Sequence, residues 1–249
     1  MALTLTRKFI CIFSLFAIFS GSAQAEDATA PPNPIRVLLS PDLETILTAQ
    51  MAGRISVLNA SLGSAVTKGR PIVVFDCSEA SAKLQMAQAE YASALESLET
   101  KNRLRKLEAA GDMEVSLAVA AADRGKAVIA VSQAQLAQCT VLAPFSGKIV
   151  KLYVKPYQGV NVGSPLLEMV SDGPLKLRLN VPSKFLRKLR IGTSFEVDID
   201  ETGKTYPAKV TAINARVDAV SQTVELEAQI NNRDPELLTG MTGIARIDL

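Results

Sequence analysis

The sequence predicts a mostly β protein interrupted by one long α-helical hairpin: a β-sandwich split into two halves, an antiparallel coiled-coil hairpin inserted between them, and a small β-barrel at the C-terminus. Three observations predict it. Residues 51–75, MAGRISVLNASLGSAVTKGRPIVVF, are echoed without a gap by residues 145–169, FSGKIVKLYVKPYQGVNVGSPLLEM. Between Pro71 and Pro144 there is no proline and only two glycines, Gly111 and Gly125. After Pro174 come short runs of alternating polarity separated by turn residues.

In the echo Gly53 answers Gly147, Ile55 answers Ile149, Leu58 answers Leu152, Val66 answers Val160, Gly69 answers Gly163 and Pro71 answers Pro165. Short apolar, β-branched runs broken by Gly and Pro are strand chemistry. Gly53, Gly69, Gly147 and Gly163 read as turn positions, where glycine reaches backbone geometry that other residues resist. A half of about 30 residues cannot bury its own apolar face; two such halves can pair into one sandwich. The expected bounds are 42–76 for the first half and 140–173 for the second.

The stretch between them, 77–139, is rich in Ala, Gln, Glu, Leu, Lys and Arg, mostly strong helix formers. Leu84, Ala87, Tyr91, Leu95 and Leu98 mark one helical stripe; Val115, Leu117, Ala121, Val128, Val131 and Leu136 mark a second, less regular one. Within AAGDME, 109–114, Gly111 can close one helix and Asp112 can cap the next. Two helices over about 78–109 and 113–138 follow, with arms roughly 40–48 Å long. A narrow stripe rich in Ala suits a thin coiled coil.

The first 25 residues have the layout of a secretory signal peptide: Arg7 and Lys8, an apolar run Phe9–Phe19, and Ala23 and Ala25 at small-residue cleavage positions. An uncleaved anchor is the alternative, although the run is short for a membrane span. Residues 26–41 read as a Pro-rich leader followed by a strand at Ile35–Leu39. Removing the signal takes Arg7 and Lys8 from the 27 Lys and Arg, leaving 25 against 25 Asp and Glu. A neutral mature chain has no electrostatic footprint for nucleic acid. Cys11 leaves with the signal, and Cys77 and Cys139 remain. They sit at the two ends of the hairpin, where antiparallel arms are neighbours, and in an exported protein an even pair reads as a disulfide. Two reduced thiols are the alternative.

The chain contains no His, which removes the commonest general base and metal ligand. The methionines are scattered and form no soft-metal cluster, and no acid, base and nucleophile set converges. No catalytic residue, cofactor or metal site is expected. In the C-terminal part, 174–249, the runs LKLRLNV, SFEVDI, AKVTAIN, TVELEAQI and GIARIDL are separated by turn signals at Gly192, Gly203, Asn231–Asn232 and Gly240, the pattern of a small barrel. SKFLRKLR, 183–190, breaks the alternation as a short helix. Its Lys184, Arg187, Lys188 and Arg190 read either as a solvated face or as a contact with a partner protein or acidic lipid.

The four parts in this order resemble the periplasmic adaptor family, the HlyD-like membrane fusion proteins of tripartite efflux pumps, with the RND-type adaptors most similar. CTVLAPFSGKIVKLYVKPYQGVNVGSPLLEM resembles the second half of that family's split lipoyl-like domain, and the segment ending LLTGMTGIARIDL resembles its barrel. The resemblance covers residues 35–249 and implies a non-catalytic periplasmic adaptor, held at the inner membrane through its transporter. It would link an RND- or ABC-type inner-membrane transporter to an outer-membrane channel as a ring, often of six copies. It also implies docking at the hairpin tip. Arg103 and Leu107 match the family's tip pattern, but Glu114 stands where that pattern has Ser, and Gly111 and Asp112 lie between. Tyr157 replaces the usual turn glycine. A lipoyl or biotin carrier would need a Lys on a tight turn between the halves, where this chain has its hairpin; a purely structural coiled-coil protein would leave the repeated halves unexplained.

Overall fold

The computed structural model describes residues 34–230 and 234–247. The signal peptide, the leader and the turn expected at Asn231–Asn232 lie outside the described residues. From Ile35 onward the chain is one compact unit. In chain order it forms strands β1 (Ile35–Ser40), β2 (Glu44–Thr48), β3 (Gly53–Leu58), β4 (Ala65–Val66) and β5 (Pro71–Phe75). Helices α1 (Ser78–Lys106) and α2 (Asp112–Ala137) follow. Then come β6 (Thr140–Leu142), β7 (Gly147–Leu152), β8 (Gly159–Val160), β9 (Pro165–Ser171) and β10 (Lys176–Pro182). A short 3-10 helix (Ser183–Arg187) precedes β11 (Ser194–Ile199), β12 (Lys204–Asp218), β13 (Thr223–Ile230) and β14 (Thr242–Arg246).

Six strands close a barrel in the order β1-β10-β13-β12-β11-β14. Its core is set by alternation: Leu177, Leu179 and Val181 on β10 and Val224, Leu226, Ala228 and Ile230 on β13 point inward. One expectation is corrected here. The strand at Ile35–Leu39 is part of the barrel, not of a separate N-terminal segment, so the barrel does not begin at 174. β1 buries Val37 and Leu39 and pairs with β10 on one side and β14 on the other; without it those strands would expose open edges. β12 alternates inward as far as Val210; beyond two register shifts its residues are half-buried or exposed, while their β13 partners Leu226 and Val224 stay in the barrel core, and the two strands end in a turn at 219–222.

Two further sheets, β2-β9-β7-β4 and β6-β5-β3-β8, enclose a second core. The halves exchange strands. Gly53 pairs with Val160 and Arg54 with Gly159; in the other sheet Gly147 pairs with Val66 and Lys148 with Ala65. These are the same contacts with the halves interchanged. Lone backbone bonds repeat in the same way: Gly63 N donates to Ile149 O (2.8 Å) and Tyr157 N to Ile55 O (2.9 Å). Gly69 N donates to Ala143 O, and Gly163 N to Ala49 O, both at 2.8 Å. The repeat extends past the echo seen in the sequence, since Leu47 on Leu167 mirrors Val141 on Val73. Much of the core is duplicated too, as Ile55 with Ile149, Ile72 with Leu166, Val73 with Leu167 and Phe75 with Met169.

The glycine readings divide. Gly69 and Gly163 are left-handed turn residues (φ 79° and 81°). Gly53 and Gly147 are not turns: each opens a strand. Gly147 is required by close approach, because a Cβ there would collide with the Val170 carbonyl; at Gly53 a Cβ would meet Met51 and Phe75 side chains at an ordinary 3.6 Å.

Candidate functional site

α1 and α2 pack along one another between β5 and β6. Tyr91 lies against Gly125, Lys101 Nζ is 2.6 Å from Glu114 and Arg105 Nη1 is 3.5 Å from Asp112, so facing positions step inward from both ends. At the root a disulfide joins Cys77 and Cys139, whose Cα atoms are 6.0 Å apart. Closing a 62-residue separation, it stabilises by about 4 kcal/mol on the chain-entropy account. Asp76 organises the same root. Its carboxylate accepts from Ser78 Oγ (2.9 Å) and Ser78 N (3.3 Å) and meets Arg54 at 3.2 Å. The Ser78 bonds, then Arg54, hold its pKa below the usual carboxylate value.

The inward-facing residues follow strict heptad spacing. On α1 they are Leu84, Ala87, Tyr91, Ala94, Leu98 and Lys101; on α2, Val115, Ala118, Ala122, Gly125, Ile129, Ser132 and Leu136. The sequence stripes are therefore corrected. Ala94 faces inward where Leu95 was expected, and Leu117, Val128 and Val131 are exposed. The seam selects small residues because the helices approach closely: a Cβ on Gly125 would lie 3.2 Å from Tyr91 Cα. The buried Ser132 hydroxyl is satisfied by Val128 O at 3.0 Å. What hydrophobicity marked as a seam is an uncovered apolar flank of α2.

At the tip the helix ends are also redrawn. α1 closes at Leu107, with Glu108 rather than Gly111 in the left-handed conformation (φ 58°). Gly111 is itself the N-cap of α2, and Asp112 is that helix's first residue. Asp112 and Glu114 are held in the cross-helix ion pairs, whereas Arg103 has no ion-pair partner among the described residues. Leu107 is 75% exposed and Met113 78%. Met113 was missed in the sequence. Its signal was local, a large apolar residue directly after a capping position, with no neighbour able to cover it.

The basic segment lies at the end of the barrel away from β10's entry. Lys184, Arg187, Lys188 and Arg190 are all exposed on or just after the 3-10 helix. Arg190 differs from the rest: its guanidinium donates to Leu186 O (2.9 Å) and Leu189 O (2.8 Å) and closes the segment. The tip and the barrel end are thus separate surfaces, and the disulfide belongs to neither. Among the described residues no group of three or more His, Cys, Asp or Glu is placed to hold a metal ion.

Residues 176–248 match the family of the CusB-like β-barrel domain. That segment, β10 through β14, is similar to the CusB-like barrel. The likeness continues beyond it. An uncharacterised protein of Haemophilus influenzae is 31% identical over 216 residues, 85% of this chain but 56% of that protein, so the chain spans just over half of that relative's length. A MacA-MexA chimera containing the Pseudomonas aeruginosa MexA α-hairpin domain superposes with a TM-score of 0.76 at 21% identity, covering 85% of this chain and 78% of that one. The membrane fusion protein Spr0693 of Streptococcus pneumoniae gives 0.74 at 18%, covering 86% and 97%. The chain from the two-sheet body through the barrel therefore shares the fold of those two proteins.

Proposed function

We propose that this chain is a non-catalytic periplasmic adaptor joining an inner-membrane efflux transporter, of RND or ABC type, to an outer-membrane channel for the export of small molecules. In this reading the two-sheet body is a split lipoyl-like domain, 77–139 is its coiled-coil hairpin, and a cleaved signal peptide delivers the chain to the periplasm. The barrel faces the inner membrane, and copies of the body assemble into a ring of six. The observation that carries the reading is the insertion of the helical pair at the junction of two reciprocally paired halves, clamped at its root by Cys77–Cys139. A clamped root turns a helix pair about 40 Å long into an arm whose tip is aimed by the body. The uncovered flank with Leu117, Val128 and Val131 is where neighbouring copies would pack; many weak contacts then gain strength by multivalency.

The test is in-cell photo-crosslinking from position 113 together with export by Leu107→Glu and Met113→Glu. The expected outcome is capture of an outer-membrane channel, with export lost in both variants while their thermal unfolding matches the parent. Normal export by both variants overturns the tip-docking reading.

A further inference from the structure

The end of the barrel opposite the two-sheet body gathers features that the linking role does not use. β10 ends there at Pro182, and β13 begins there at Thr223, its register partner. Ser183 N donates to Gln222 O at 2.9 Å, which fixes the start of the 3-10 helix beside the β12–β13 turn. The chain also enters the barrel at this end, since Ile35 opens β1 antiparallel to β10.

The β12–β13 turn is tied by hydrogen bonds to Asp218 and presents an apolar residue. Asp218 Oδ1 accepts from Ser221 N (2.8 Å), Val220 N (2.9 Å) and Ser221 Oγ (3.0 Å). Those bonds, the Ser221 backbone first, hold the Asp218 pKa below its usual value. Held in this way, Val220 is 96% exposed. On the 3-10 helix and just after it, and on β12, Lys184, Arg187, Lys188 and Arg216 are exposed at this end of the barrel, and none has an ion-pair partner among the described residues. Lys184 Nζ sits 5.2 Å from the centre of the Phe185 ring. The nearby carboxylates are few: Asp218 is committed to the turn, and Glu225 accepts from Asn214 Nδ2 at 3.4 Å. Cations without partners around a pre-shaped apolar tip suit a flat surface of phosphates over hydrocarbon.

We propose that this end of the barrel seats directly on an anionic lipid surface, with Lys184, Arg187, Lys188 and Arg216 on headgroup phosphates and Val220 entering the headgroup–acyl boundary. The inference does not depend on the adaptor reading, since it can be tested without any pump. It commits to lipid; a protein contact at the same face is an outcome of the test.

The chain has no Trp, so Val220→Trp makes a single-site fluorophore, and Leu62→Trp, at an exposed position on the two-sheet body, is its control. The mature chain is mixed with vesicles of phosphatidylcholine alone or equimolar with phosphatidylglycerol. The expected result is a blue shift for Val220→Trp, and none for Leu62→Trp, with the anionic vesicles only. Salt at about 1 M should remove it, the screening length there being about 3 Å. In co-sedimentation of the otherwise native chain, each charge-neutralising Gln substitution at the four cations should lower partition about five-fold, and Val220→Ser about as much. No shift at low salt, or equal shifts at both tryptophans, overturns the proposal. So does loss of transporter co-purification in Lys184→Glu, Arg187→Glu, Lys188→Glu without any vesicle binding by the parent, which would make this face a protein contact.

Discussion

In the two-sheet body Ile55, Ile72, Leu166 and Leu167 are wholly buried, and each faces large apolar neighbours. Along the whole of α1 and α2 only Ala87, Val115, Ala122 and Ser132 are buried. The body is held by apolar volume; the helical pair is held by close approach, heptad register and a disulfide at its root. The difference suits the roles proposed above. A body with that core can be stable alone, whereas the helical pair leaves apolar side chains such as Leu117, Met113 and Val131 uncovered in the single chain.

The sharpest way to break this contrast is to remove the same kind of atoms from each region. Leu167→Ala, in the shared core between the sheets, should destabilise by about 3 kcal/mol, read as a lower urea midpoint at unchanged slope. Leu117→Ala, on the outward flank of α2, should change the midpoint by less than about 0.5 kcal/mol. Equal losses would mean that Leu117 is packed in the isolated chain and that the flank is not free for partners.

A smaller effect is expected at the seam. Gly125→Leu places a side chain where even a Cβ would touch the Tyr91 backbone at 3.2 Å. Overpacking costs about 1–3 kcal/mol, offset by about 1 kcal/mol of helix propensity, for a net loss of about 1 kcal/mol. It should appear as faster amide exchange in both helices, while the barrel and the body keep their protection. Unchanged exchange in the helices would show that the seam is looser than its geometry.

The same contrast explains what was legible in the sequence. The body announced itself because duplication preserved large apolar residues at a fixed spacing, so Ile55 and Ile149 could be read as one position used twice. The barrel strands were legible through alternation; β1 was legible as a strand but not as part of the barrel, because its sheet partners lie far along the chain. The seam was misread because hydrophobicity marks residues that leave water, and here Ala94, Ala122 and Gly125 were selected for being small. The turn roles given to Gly53 and Gly147 failed for a related reason. Local sequence shows that a residue lacks a side chain but not whether backbone geometry or the Val170 carbonyl requires it. The tip suffered likewise: Asp112 and Glu114 stood out as charges, yet they pair across the helices and leave Leu107 and Met113 presented.

The smallest effect tests a turn at which the halves of the body disagree. Gly63 and Tyr157 donate equivalent hydrogen bonds from equivalent turns, and both are left-handed, at φ 75° and 66°. Glycine takes that geometry freely, whereas an L side chain carries about 1–2 kcal/mol of strain. Tyr157 is 73% exposed, so little burial offsets it. Tyr157→Gly should therefore stabilise the chain, by about 0.5–1 kcal/mol once the greater freedom of glycine in the unfolded state is subtracted. The mirror change, Gly63→Tyr, should destabilise by about 1 kcal/mol. Both are read from urea midpoints. If Tyr157→Gly lowers stability, the ring contributes packing within the chain that outweighs its backbone strain. If it raises stability while export falls, the strain is retained for a contact that the aromatic ring makes outside the chain, as strained residues at working surfaces do.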